Sequence, residues 1–327
     1  MTLYRNLILA ALILTLGVVS LGAYVRLSDA GLGCPDWPGC YGKLTPHHAA
    51  DAIEAELAVR PDGPVSHAKA WKEMVHRYFA GTLGLLVLAI AAMSWRGRRE
   101  TRGGPGLPML LLGLIVFQAL LGMWTVTQLL KPLVVSAHLL GGMATLSLLL
   151  WLWLRERSHA SHAYFAHVDH VRGAAAWGLA LVAVQIALGG WVSTNYAALA
   201  CTDFPLCQGT WMPAMDFEHA FTLHRELGET ASGDLLPMEA LTAIHWMHRL
   251  MALIVTLYLG WLVVRLLRTP GYAGMGVAVG ALLSLQVALG ISNVRLSLPL
   301  PVAVAHNTGA ALLLASLVWL NFRLRRR

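Results

Sequence analysis

Eight stretches of about twenty predominantly apolar residues dominate the sequence, at about 7–25, 74–94, 107–127, 132–154, 173–193, 242–264, 273–293 and 301–322. A bilayer core about 30 Å thick is crossed by about 20 residues of α-helix, and a helix satisfies its own backbone hydrogen bonds there. Each stretch therefore predicts a spanning helix, and the chain reads as an all-α integral membrane protein. Composition agrees. Charged residues are 13% of the 327, against roughly a quarter in a soluble domain. The first stretch resembles a signal peptide, but it is long for one and has a partner in the repeat described below, so it is assigned to the fold.

The charges are distributed by side. Arg5, the Arg96–Arg102 group, Arg155, Arg157, Arg172, Arg265, Arg268, Arg323, Arg325, Arg326 and Arg327 fall in alternate connections, 14 of the 24 basic residues. The positive-inside rule puts both termini and these connections in the cytoplasm. The net charge of +7 is thus a topology signal, and nucleic-acid binding is not expected. Of the 17 acids only Glu100, Glu156 and Asp169 share that side, and the other 14 lie in or beside the outer connections, two of which are long, 26–72 and 194–241. All four cysteines sit in them, in a compartment that permits disulfides.

The chain repeats itself. Residues 22–42 align without gaps on 189–209 with 9 of 21 identities, centred on Cys34-Pro-Asp36-Trp-Pro38-Gly-Cys40 and Cys201-Thr-Asp203-Phe-Pro205-Leu-Cys207. His76-Arg77 matches His248-Arg249, and Gln118 followed by His138 matches Gln286 followed by His306, 20 residues apart in both halves. The expectation is two tandem, parallel-duplicated four-helix bundles, residues 1–160 and 161–327, with any site built twice.

Four histidines stand out among fourteen. His76, His138, His248 and His306 lie within the first two turns of the second, fourth, sixth and eighth apolar stretches. Ionisable groups inside a span are rare and face a bundle interior. A buried histidine satisfied by a core hydrogen bond explains one such residue more readily than four at repeated positions. Two histidines facing each other across a bundle suit the axial positions of a haem iron, whereas zinc and copper want more ligands. Arg77 and Arg249, one residue on, are candidates for haem propionates, or for snorkelling to the interface. The halves differ in one place: Glu73-x-x-His76 stands where the other has His245-x-x-His248. Glu73 shares a helix face with His76. It reads either as a group for proton transfer or as an acid favoured by a helix N-terminus.

Each Cys-x5-Cys pair, Cys34/Cys40 and Cys201/Cys207, admits three readings: a structural disulfide, a joint zinc site, or a redox-active dithiol. The histidine-rich run His159, His162, His167 and His170 has no counterpart in the repeat and reads as a solvated loop. His47, His48, His67, His219 and His224 show no ligand-like pairing.

Together, Gly22-Ala-Tyr-Val-Arg26 through Pro38, the Glu73-x-x-His76-Arg77 motif, His138, His248-Arg249 and His306 resemble the bacterial haem A synthase family over nearly the whole chain, 1–322. The resemblance implies an eight-helix enzyme of the bacterial inner membrane with its haem sites near the outer face. It would oxidise the C8 methyl of haem O to a formyl group through successive hydroxylations, for aa3-type cytochrome oxidases. It implies substrate haem between His76 and His138, with Glu73 in the chemistry, and a permanent haem b between His248 and His306. It also implies that Cys34/Cys40 match a first-loop pair of variable role and that Cys201/Cys207 are structural. Haem O synthase is the natural neighbouring partner and an oxidase assembly factor the plausible recipient, while the sequence leaves homo-oligomerisation open. Two other functions compete. A dihaem electron-transfer cytochrome of quinol-oxidising type would use the same histidines without making a product. A thiol-oxidising membrane protein would use the cysteines and leave the histidines without a purpose.

Overall fold

A computed structural model describes residues 2–97, 103–157 and 169–325. Arg98, Arg99, Glu100, Arg102, His159, His162, His167, Arg326, Arg327 and the side chain of His170 lie outside the described residues. The elements are helical: α1 (Thr2–Leu27), α2 (Ala50–Val59), α3 (His67–Arg96), α4 (Gly106–Thr127), α5 (Pro132–Arg157), α6 (Asp169–Thr194), α7 (Phe217–Ala220), α8 (Met238–Leu267), α9 (Ala273–Arg295) and α10 (Leu300–Arg325). Eight of these are long and apolar enough to cross a membrane, one for each apolar stretch. Their outward faces carry apolar side chains such as Ile13, Leu85, Leu110, Phe117, Leu257 and Val277, as a hydrocarbon surrounding requires.

Two of the spans begin earlier than their hydropathy does. Helix α3 starts at His67 and α8 at Met238, ahead of the apolar runs at 74 and 242. The start of α3 is set by Ser66, whose side chain accepts the Lys69 N–H at 3.3 Å, a standard N-cap. His76 and His248 therefore sit in the third turn of their helices, one turn deeper than expected, whereas His138 and His306 stay within the first two. The added first turns are where a long connection packs, on Ala70 in α3 and on Ala240 in α8.

The chain forms two compact units. The first holds Met1–Thr145 together with Leu223–Gly233. In it α1 packs on α3 and α3 on α4, around Ile8, Ala11, Leu83, Val87, Ile90 and Leu111. Above the span, α2 was not foreseen. It exists to cover the disulfide loop: Ile53 is fully buried with Cys34, Cys40, Ala49, Val65, Ala70 and Met74. The segment Leu223–Gly233 comes from the second long connection yet packs here, with Lys131 and Glu226 ion-paired at 2.8 Å.

The second unit holds Leu146–Thr222 and Asp234–Arg327. Helix α6 packs on α8 and α10, and α9 packs on α8 and α10. Asn321 donates from its Nδ2 to the Ala175 carbonyl at 2.9 Å, and the Tyr258 hydroxyl donates to the Ala174 carbonyl at 3.1 Å. A cluster of Trp191, Val192, Ala197, Ala220, Ala240, Ala243 and Ile244 supports its long connection.

The backbone repeats its unusual turns. Left-handed residues occur at Asp29, Tyr41, Leu129 and Leu130, and again at Tyr196, Gln208, Ser297 and Leu298. At the ends of α4 and α9, Leu130 donates to the Thr125 carbonyl and Leu298 to that of Asn293. These are the six-to-one bonds that close a helix when the next residue turns left-handed.

Candidate functional site

In the first unit the site is assembled on one turn of α3. Glu73, only 4% exposed, accepts the Cys34 N–H on Oε2 at 2.8 Å and the Arg77 Nη2 on Oε1. Arg77 Nη1 reaches into the loop and donates to the carbonyls of Asp36, at 2.8 Å, and of Gly39. The loop is shaped from within by the Asp36 carboxylate, which accepts the N–H groups of Tyr41 and Gly42, each at 2.6 Å. Its ends are joined by the Cys34–Cys40 disulfide. Thus the disulfide loop is fastened to the helix turn that carries His76. The reading of Arg77 as a propionate partner meets a guanidinium already engaged with loop carbonyls.

The second unit repeats the construction with different chemistry. His245 takes the place of Glu73 and is as buried. Its Nδ1 faces the Cys201 N–H at 3.4 Å, and its Nε2 accepts from Arg249 Nε at 3.2 Å. Arg249 also donates to the carbonyls of Cys201, Asp203 and Leu206 at 2.7–2.9 Å, so it too is engaged with the loop. Cys201 and Cys207 are disulfide-bonded. Asp203 accepts the N–H groups of Gln208 and Gly209 at 2.7 and 2.8 Å. These bonds, that of Gly209 foremost, hold its carboxyl below the usual carboxylate range.

The four histidines fall into pairs. His76 of α3 and His138 of α5 lie within electrostatic reach of each other, as do His248 of α8 and His306 of α10. Every ring lies against a glycine of a neighbouring helix. A methyl group on Gly22 would stand 3.0 Å from His76 Cε1, one on Gly122 3.4 Å from His138, one on Gly189 3.0 Å from His248 and one on Gly290 3.1 Å from His306. At Gly22, Gly189 and Gly290 such a Cβ would stand closer than ordinary van der Waals contact, so the missing Cβ is what admits the imidazole so near the facing backbone. The Nδ1 atoms of His76, His138 and His306 are buried without a hydrogen-bond partner, which argues against these rings as satisfied core histidines. Gln286 Nε2 donates to the His306 carbonyl at 2.8 Å, and Gln185 lies beside His248.

This arrangement fits a haem better than a bare ion. Among the described residues no three His, Cys, Asp or Glu side chains group as a metal-ion site. A porphyrin supplies four equatorial ligands itself and asks the protein for two axial ones. Glycine notches also give a flat macrocycle close approach to helix backbone.

Other expected features resolve locally. His48 Nδ1 pairs with Thr45 Oγ1 at 2.9 Å and His219 Nδ1 with Asp216 Oδ2 at 2.6 Å, both within outer turns. Sequence reasoning missed the four glycines, Gln185, and the loop-shaping Asp36 and Asp203. The repeat contained the signal, since Gly22/Gly189, Gly122/Gly290 and Asp36/Asp203 all match across it.

The family model of the COX15-CtaA cytochrome oxidase assembly proteins matches residues 5–318. The chain is 45% identical to the haem A synthase of Shewanella oneidensis, over 95% of this chain and 93% of that protein. It is 30% identical to the haem A synthase of Caulobacter vibrioides, over 98% and 94%, and 27% identical to human haem A synthase COX15, over 95% and 80%.

Proposed function

Because this chain belongs to the COX15-CtaA family of cytochrome oxidase assembly proteins, we infer that it is a haem A synthase. It is a multi-pass membrane enzyme that oxidises the C8 methyl of haem O to a formyl group through successive hydroxylations, in the assembly of aa3-type cytochrome oxidase.

The observation that carries the site assignment is the pairing of four histidines, two per unit, each ring set against a glycine. His76 and His138 hold the substrate haem O by its iron, in the half 1–160. His248 and His306 hold a permanent haem b in the half 161–327. Bound there, haem b would supply one-electron redox chemistry. The chain supplies position and charge. Glu73 stands one helical turn from His76 and serves in proton transfer at Oε1, the oxygen it shares with Arg77. Cys34–Cys40 and Cys201–Cys207 hold the outer loops down over the sites. Arg77 and Arg249 clasp those loops, and any contact with haem propionates is additional to that duty. The arginine distribution orients the sites toward the outer face, with both termini in the cytoplasm. Haem O synthase and an oxidase assembly factor are the protein partners the poorly soluble substrate and product call for, and a homo-oligomer is compatible with this scheme.

The test is exchange of one ligand at a time in membranes that contain a haem O source. His248→Ala and His306→Ala should lose haem b. His76→Ala and His138→Ala should keep haem b and lose conversion of haem O. Survival of a low-spin bis-histidine spectrum through all four exchanges would refute the ligand assignment.

A further inference from the structure

The two units differ at a second position that faces the candidate ligands, and this difference says which site keeps its haem. In the second unit Gln185 of α6 stands one turn before Gly189, the notch that receives the His248 ring. Its amide nitrogen lies 3.1 Å from His248 Nδ1, 3.4 Å from Nε2 and 3.2 Å from the His248 carbonyl oxygen. In the first unit the matching residue, one turn before Gly22, is Val18, and His76 Nδ1 is buried with no hydrogen-bond partner.

We propose that Gln185 is a positioning residue that makes the C-terminal site the haem-retaining one, and that Val18 leaves the N-terminal site able to release its haem. This rests on the two-site reading above. An iron-bound histidine gives Nε2 to the metal and keeps a proton on Nδ1. That N–H needs an acceptor, and the partner fixes the ring's tautomer and orientation and raises its basicity. Gln185 is placed to provide one. Its Oε1 is buried and unbonded as it stands, and exchanging the amide's O and N puts Oε1 where the nitrogen now stands, 3.1 Å from Nδ1 and 3.4 Å from Nε2. Valine offers no acceptor at the corresponding place. His76 therefore binds iron through a ring that only Gly22 and packing orient, as suits a site whose occupant arrives as substrate and must leave as product. Loss of such a partner costs about 10–100-fold in metal affinity.

The experiment uses the full chain, purified with its haems and challenged with excess apomyoglobin as a haem acceptor. Capture of haem b and of modified haem is followed separately by extraction and chromatography. Gln185→Val should release haem b at least about ten-fold faster and raise the midpoint potential of the C-terminal haem, because a less basic ligand stabilises ferric iron less. Gln185→Glu, which keeps an acceptor oxygen, should restore retention. Val18→Gln should slow loss of haem from the first site and leave haem b unaffected. If Gln185→Val does not accumulate in membranes, Val18→Gln carries the test alone, and unchanged release from its first site overturns the proposal. Unaltered retention and potential in Gln185→Val, alongside loss of haem b in His248→Ala, would overturn the role of Gln185 and leave the two sites standing. Haem b retained in His248→Ala would overturn the two-site reading itself.

Discussion

A glycine opposite each candidate ligand leaves the imidazole space that a single methyl group would take. Gly22→Ala would place Cβ 3.0 Å from the His76 ring, and Gly189→Ala would do the same to His248. Each ring would have to give by a few tenths of an ångström, and overpacking of this kind costs about 1–3 kcal/mol. Gly22→Ala should cut conversion of haem O several-fold with haem b retained, and Gly189→Ala should lower haem b content. Gly17→Ala on the same α1 meets nothing within 4 Å and should change neither, as quantified by haem extraction. A second prediction concerns Asp203. Its folded pKa lies below the ordinary value, so its contribution to the loop is present above the unfolded carboxylate pKa of about 4 and is lost as pH falls through the folded value. Reduction of Cys201–Cys207 by a phosphine reductant should therefore be insensitive to this group from neutrality to about pH 4 and should accelerate below it. Asp203→Asn should show the faster rate at every pH. At this scale the sequence singled out the candidate ligands, because a charge-capable side chain in an apolar run is conspicuous. It concealed the glycines and Gln185, because in one dimension nothing distinguishes a glycine that faces a ring from one that faces lipid.

The element that joins loop to ligand is the first part of α3, and of α8 in the second unit. Each projects beyond its apolar run as an outer platform for a disulfide loop, and each carries an arginine that binds that loop's carbonyls. Arg77→Ala would strand the buried Glu73 carboxylate and free the carbonyls of Asp36 and Gly39. Breaking a buried ion pair by removing one partner costs about 3–5 kcal/mol. The expected result is a fall in Tm and faster reduction of Cys34–Cys40. Arg77→Lys should recover only part of either, since an ammonium cannot span carboxylate and carbonyls as a guanidinium fork does. A variant with unchanged reduction rate would deny that the arginine holds the loop. Hydropathy located all eight spans but misplaced the starts of α3 and α8, because it reports immersion in lipid, whereas the first turn of α3 is held by the Ser66 cap and that of α8 by packing around Ala240. Helix α2 was missed for a related reason: its ten residues are too few to cross a bilayer and carry Asp51, Glu54 and Glu56, and the disulfide loop it covers is what makes Ile53 core.

For the whole molecule, the arginine distribution predicts the topology. Single cysteines introduced at the N-terminus and in the Arg265–Arg268 connection should be protected from a membrane-impermeant thiol reagent in intact cells, and one at exposed Leu235 should react. The opposite pattern would reverse the assignment of inside and outside. The histidine pattern, the cysteine loops and the eight spans were readable because each repeats along the chain. The packing of Leu223–Gly233 into the first unit, where Lys131 pairs with Glu226, was not, since that segment has no counterpart in the repeat. Among the differences between the halves, two bear on the candidate ligands: Glu73 for His245 and Val18 for Gln185. The central claim is that one half transforms a haem while the other keeps one. It is tested most directly by acid extraction of haem from the purified chain, produced with a haem O source, followed by chromatography and mass spectrometry. The account predicts haem B together with haem O, its hydroxylated form or haem A, and loss of the oxidised species in Glu73→Ala. Haem B alone, at two per chain, would contradict it and identify a dihaem electron-transfer cytochrome.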